Sequence, residues 1–236
     1  MKKYAAITLL AATLVGCDNN SAPLSFTPEM ASFSNEFDFD PLRGPVKDFT
    51  QTLFNEKGEV SKRVTGTVST EGCFDTLELH DLEANTGVAL VLDANYYIDA
   101  ETQQRKVKLQ GKCQLAELPS AGVTWDTDDN GFVVAAHGKE MEVKYRYDAD
   151  GYPLGKTTVS GDQHLSVQST PSKDVRKRMD YSAVSLLNDK PLGNVEQSCD
   201  YDRHNNPVSC DLIITDDSVK PAVVRKYTIK NTIEYY

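Results

Sequence analysis

Val143-Lys144-Tyr145-Arg146-Tyr147 puts large apolar or aromatic side chains at its odd positions and basic ones between them. A two-residue period of this kind belongs to a strand with one face in a core and the other in water. Working outward, the same β-forming texture covers most of the chain. Upstream it runs from Val60 to Val68, Leu77 to Leu82, Val88 to Ile98, Lys106 to Leu115 and Phe132 to Ala136. Downstream it runs from Thr157 to Val167, Met179 to Leu187, Val195 to Tyr201, Val208 to Thr215 and Val223 to Tyr236. Nothing long shows a helical period. Short polar connections predict hairpin after hairpin, hence an all-β antiparallel meander forming one extended or sandwich-like sheet domain over residues 43–236. The runs are too short for a regular series of outer-membrane barrel strands.

The connections share a frame. Phe54-Asn55-Glu56-Lys57-Gly58 and Tyr147-Asp148-Ala149-Asp150-Gly151 each place an aromatic, then Asn or Asp, then two variable residues and glycine. Tyr201-Asp202-Arg203-His204-Asn205 repeats the frame with Asn205 in the glycine position, and Trp125-Asp126 through Asn130-Gly131 is a longer variant. Asp or Asn caps such a turn through its side chain, and Gly or Asn takes the positive φ that a tight hairpin needs.

The amino terminus carries an address. Lys2 and Lys3 precede an apolar segment, Ala5 to Val15, which is far shorter than the ~20 residues of a membrane-spanning helix and fits a secretory signal. It ends in Leu14-Val15-Gly16-Cys17, the pattern of a lipobox. The expectation is a signal peptide over residues 1–16, removed after Gly16, with Cys17 carrying a thioether-linked diacylglyceryl group and an acylated amine. Several acyl chains hold a protein to a bilayer where one does so only marginally. Asp18 predicts retention at the inner membrane, so the domain is expected on its periplasmic face. Residues 17–42 read as the lipidated terminus and a tether, although the Phe33, Phe37, Phe39 and Phe49 series is too aromatic for free linker and some of those rings are expected to dock on the domain.

The chain has 25 basic and 35 acidic residues and a formal charge of −10, made two units more negative by loss of Lys2 and Lys3. That charge disfavours nucleic acid and anionic headgroups as partners. Besides Cys17 there are Cys73, Cys113, Cys199 and Cys210, an even set that predicts two disulfides in an oxidising compartment. Three pairings are open, and sequence proximity favours Cys199–Cys210 and Cys73–Cys113. The chain-entropy model assigns roughly 3 kcal/mol to the short loop and about 4 to the long one.

Candidate chemistry is sparse. Asp126, Asp128 and Asn130, followed by Gly131, match the first half of a calcium loop, but the twelfth position is His137 rather than a bidentate Glu. An acidic hairpin tip solvated by water explains the same residues. His80, His137, His164 and His204 have no partner at helix-face spacing, and no G-x-S-x-G elbow occurs. No catalytic residue and no cofactor are expected. Lys173, Arg176, Lys177 and Arg178 form the one basic cluster, in a loop after Pro171.

Several long stretches resemble one family. Leu24-Ser25-Phe26-Thr27-Pro28-Glu29-Met30-Ala31-Ser32-Phe33, Phe37-Asp38-Phe39-Asp40-Pro41-Leu42-Arg43-Gly44-Pro45 and Val88 to Tyr97 are similar to the YnfC family of enterobacterial lipoproteins. So are Val219-Lys220-Pro221-Ala222-Val223 and Tyr227-Thr228-Ile229-Lys230-Asn231-Thr232-Ile233. The resemblance spans essentially the whole mature chain, and the departures fall in surface-like stretches and the signal peptide. It implies a membrane-anchored lipoprotein with no activity to carry over, and it transfers only the lipid site, onto Cys17. The expectation is a non-enzymatic envelope protein that works by binding, with an envelope protein as a candidate partner. Small-ligand or calcium binding is the alternative, and an unrecognised hydrolase the second.

Overall fold

The computed structural model describes residues 22–236. The signal peptide, Cys17 and Asp18 lie outside the described residues. One helix, α1 (Pro28–Phe37), precedes sixteen strands. These are β1 (Val46–Phe54), β2 (Val60–Val68), β3 (Phe74–Asp81), β4 (Thr86–Asp93), β5 (Tyr96–Asp99), β6 (Arg105–Gln110), β7 (Gln114–Leu118) and β8 (Val123–Thr127). There follow β9 (Val133–His137), β10 (Glu142–Tyr147), β11 (Pro153–Ser160), β12 (Gln163–Pro171), β13 (Tyr181–Leu187), β14 (Lys190–Tyr201), β15 (Pro207–Asp216) and β16 (Val223–Tyr235).

Every strand pairs antiparallel with the next, as the meander expectation requires. The sheet is neither extended nor a sandwich, however. β16 returns to β1, with Phe49 opposite Ile233 and Leu53 opposite Ile229, and closes a barrel. Closure satisfies the two rows of backbone groups that an open meander would leave at its edges.

Closure brings its own difficulty. A ring of sixteen strands is too wide for wall side chains to meet across it, and barrels of this size otherwise leave an aqueous channel. This chain fills the space with its own amino-terminal segment, so the tether expected over residues 17–42 is corrected for its described part. Thr27 caps α1 by accepting a hydrogen bond from the Met30 amide, and Pro28 occupies the first turn, where its missing N–H costs nothing. Asp38 ends the helix in a left-handed conformation at φ 54°. Met30, Ala31, Ser32, Phe33 and Ser34 are consecutive and all buried. The apolar repeat of the helix, Met30, Phe33 and Phe37, occupies only ten residues, too few to stand out as a helical period in a polar stretch of sequence.

Polar contacts fix the plug in place. The Val133 amide donates to Ser32 Oγ at 3.0 Å, and the Tyr145 hydroxyl donates to Glu36. Lys156 Nζ donates to the Asn35 carbonyl, and Lys62 Nζ to the Asp38 carbonyl at 2.7 Å. The rings expected to dock do so. Phe33 lies 4.8 Å from Phe74 between centroids and Phe39 lies 5.7 Å from Phe49, all inside the main core cluster. The segment leaves the barrel at Arg43. There the buried Asn206 side chain accepts from the Arg43 amide at 2.7 Å and donates to its carbonyl at 2.9 Å, imitating a strand partner.

The outer wall is polar. Lys144, Arg146, Lys226, Lys230 and Glu234 project outward and are exposed.

Candidate functional site

The plug does not fill the barrel evenly. Its aromatic side packs against β1 to β10, which supply nearly all of the main core. Between the plug and β11 to β16, and bounded also by Gln51 and Leu53 of β1 and Lys62 and Val64 of β2, a cavity of about 460 Å³ remains. A ligand pocket typically measures about 300–1,000 Å³. Leu53, Val167, Val195, Leu212, Ile214 and Ile229 make its wall largely aliphatic, and the exposed Asp38 stands where it meets solvent. Gly155, in the lining, has φ +113°, and a Cβ there would come within 2.0 Å of the Val167 carbonyl oxygen. Only glycine fits this bend in β11.

Two carboxylates of the plug line this space, Asp38 at its exposed mouth and Asp40 farther in. Asp40 follows the turn that ends α1. Its backbone is paired twice with the Gln51 side chain: the Asp40 amide donates to Gln51 Oε1 at 2.9 Å, and Gln51 Nε2 donates to the Asp40 carbonyl at 2.6 Å. The Asp40 side chain is surrounded by protein yet keeps accessible surface, because what it faces is the cavity. Burial pushes its carboxyl up to about 6, against a hydrogen bond from Gln197 and the charge of Lys62, which both act to lower it. Gln197 Nε2 is 3.2 Å from Asp40 Oδ2 and 3.2 Å from the Met179 carbonyl. Both neighbours are acceptors, so the amide nitrogen must face them, and Gln197 Oε1 is left buried with no donor. Tyr181 and Tyr152 also line the cavity, with Ser34, Asn35, Lys62 and Ser169, and burial pushes both phenols above their ordinary range.

The residues singled out in the sequence lie elsewhere. The structure contains Cys73–Cys113, tying the start of β3 to the β6–β7 turn, and Cys199–Cys210, joining directly opposed residues of β14 and β15. Asp126 and Asp128 are committed to other bonds. Asp128 Oδ1 accepts from the Asn130 and Phe132 amides, both at 2.9 Å, and Asp126 Oδ2 lies 2.9 Å from His137 Nε2. Asn130 contributes its backbone amide to that turn. Among the described residues no group of three His, Cys, Asp or Glu side chains could hold a metal ion. In the basic cluster, Arg178 pairs with Asp148 at 3.2 Å and Asp150 at 3.3 Å, which binds that loop to the β10–β11 turn. Sequence reading passed over Asp40, because the Phe39-Asp40-Pro41 stretch was assigned to a tether rather than to a barrel interior.

Fold and cavity together define a closed antiparallel β-barrel, plugged by its own amino-terminal helix, with an aliphatic pocket that ends on a carboxyl group. The chain belongs to the uncharacterised protein family UPF0257, whose model matches residues 1–236. It is 70% identical over 236 residues, covering 100% of both chains, to the UPF0257 lipoproteins YnfC of Salmonella dublin and Salmonella typhi. Among solved structures it is similar to a porin-like protein from Bacteroides uniformis, at 9% identity over 80% of this chain and 96% of that one, with a TM-score of 0.43. It is also similar to a chain of the Pseudomonas aeruginosa MucA/MucB complex, at 11% identity over 87% and 92%, with a TM-score of 0.22. Scores this low transfer neither fold nor function.

Proposed function

We propose that the chain is a lipid-anchored, non-enzymatic binding protein of the cell envelope whose barrel holds a small, largely apolar molecule. The observation that carries this reading is the aliphatic cavity of about 460 Å³ between plug and wall. A barrel that needed only stability would be expected to pack that space, since each void forfeits dispersion contacts. In the same reading Cys17 carries the acyl chains, and Asp18 keeps the protein on the periplasmic face of the inner membrane. Two disulfides suit that oxidising compartment. The exposed charges on the wall suit a domain that stands in water on its anchor.

The test uses the mature chain with Cys17→Ser, secreted from a cleavable signal peptide so that no acyl chain or detergent competes. Calorimetric titration with dodecanol should show saturable binding at one site. Leu212→Trp, which places an indole in the cavity, should abolish it, with Val195→Phe as a second filling variant. Absence of binding in the parent, or full binding in both filled variants, would contradict the proposal. Placement is tested separately: Asp18→Ser should move the lipidated protein to the outer-membrane fraction. A parent already found there would overturn the inner-membrane assignment.

A further inference from the structure

We infer that the cavity takes an amphiphile with a cationic, hydrogen-bond-donating head: an alkylammonium group seated on Asp40, with its chain along the aliphatic wall of β12 to β16. The inference rests on the reading of the cavity as a binding site and specifies what that site recognises.

The first observation is a carboxylate without a counter-ion. None of the ion pairs among the described residues includes Asp40. Its Oδ2 accepts from Gln197, and no protein group among the described residues donates to its Oδ1. Lys62 on β2 also lines the cavity and its charge reaches Asp40, but it makes no ion pair with that carboxylate: its Nζ donates to the Asp38 carbonyl at 2.7 Å and is directed at the Phe37 carbonyl at 3.5 Å. The other polar groups facing Asp40 are all neutral: Gln51 on β1, Gln197 on β14, Tyr181 on β13 and Tyr152 at the start of β11. An enclosed carboxylate is expensive to keep unpaired.

The second observation concerns the hydrogen-bonding character of that end of the cavity. Asp40 offers acceptor oxygens to the cavity, and the exposed Asp38 carboxylate lines it as well. A carboxylate or phosphate head brings further acceptors and negative charge, so it is repelled. A plain hydrocarbon leaves the Asp40 carboxylate unsatisfied. An ammonium brings a positive charge and three donors, and so complements the carboxylate. Away from Asp40 the wall of β1, β2 and β12 to β16 is dominated by Leu53, Val64, Val167, Leu212, Ile214 and Ile229, so the rest of the ligand is a chain. The chain's formal charge of −10 adds long-range attraction of the same sign.

The experiment compares three probes of equal chain length on the mature Cys17→Ser chain: dodecylamine, dodecanol and dodecanoate. It is run near pH 8, above the Asp40 pKa of about 6 and below an alkylammonium's at about 10. Dodecylamine should bind about tenfold more tightly than dodecanol, the worth of one charge-assisted hydrogen bond, and dodecanoate more weakly than either. Asp40→Asn, which keeps the side-chain shape, should remove the amine preference, so that dodecylamine and dodecanol bind the variant equally well. Equal binding of all three probes, a preference for dodecanoate, or an amine preference that survives Asp40→Asn would each overturn the inference while leaving the cavity as a binding site. Failure of every probe to bind would overturn both. The ranking on the parent protein needs no variant, so a misfolded Asp40→Asn would not remove the test.

Discussion

Asp40 ties the chemistry of the site to the stability of the fold. Its carboxyl is raised from 3.8 to about 6 because the folded chain encloses it. The folded state therefore binds this proton more tightly than the unfolded state does. Below about pH 3 the group is neutral in both states and costs the fold nothing. Above about pH 7 it is ionised in both, and the fold bears a cost of up to about 3 kcal/mol, at about 1.4 kcal/mol per pKa unit. Tyr152 and Tyr181, pushed up by burial, stay neutral through that window. Urea unfolding of ligand-free protein should show Asp40→Asn more stable than the parent by about 2–3 kcal/mol near pH 8, with the difference gone below about pH 3. A difference that does not vary with pH would show that the carboxyl is not enclosed. Nothing in the sequence marks this one acid among 35. What distinguishes it is the plug that carries it into the barrel, and a plug is a tertiary fact.

Among the elements, the turns were legible and the helix was not. The shared frame forms one structure four times. Asn55, Asp128, Asp148 and Asp202 each accept, through Oδ1, from the amides two and four residues on. Gly58, Gly131, Gly151 and Asn205 each take the positive φ. Such turns are local, so short-range sequence suffices to specify them. Their cost on removal depends on setting. Asp128→Ala at an exposed tip should cost about 1 kcal/mol. Asp148→Ala should cost more, about 2–3 kcal/mol, because it also takes a partner from the partly buried Arg178. Equal losses in urea unfolding would show that the Arg178 contact contributes nothing. Helix α1 escaped the sequence reading because its apolar repeat, Met30, Phe33 and Phe37, is confined to ten residues. Its start signals, Thr27 and Pro28, were present but stood in a polar segment with two prolines. As a load on the fold the helix is substantial. Phe33→Ala should cost about 3–5 kcal/mol, whereas Thr27→Ala should cost about 1 kcal/mol. A Phe33→Ala loss near 1 kcal/mol would mean that the plug is not packed against Phe74 and Tyr97.

At the scale of the whole molecule, the period-two alternation in stretches such as Val143 to Tyr147 was enough to read an all-β antiparallel meander. It could not specify closure. An alternating strand looks the same in an open sheet and in a barrel, and the pairing of β1 with β16 joins residues nearly the full chain apart. Once the ring closes, the rest follows physically. Sixteen strands enclose more volume than their own side chains fill, the amino-terminal segment enters, and its packing toward β1 to β10 leaves an aliphatic space against β11 to β16. The cysteine set was legible because each disulfide joins the cysteines that lie nearest each other in sequence. The most direct test of the account is amide hydrogen exchange on the mature Cys17→Ser chain with and without dodecylamine. Added protection should appear around Asp38 to Pro41 and along β13 to β15, the two sides of the cavity, and leave β4 to β8 unchanged. Protection confined to β4 to β8 or to the outer turns, with the plug and β13 to β15 untouched, would contradict it.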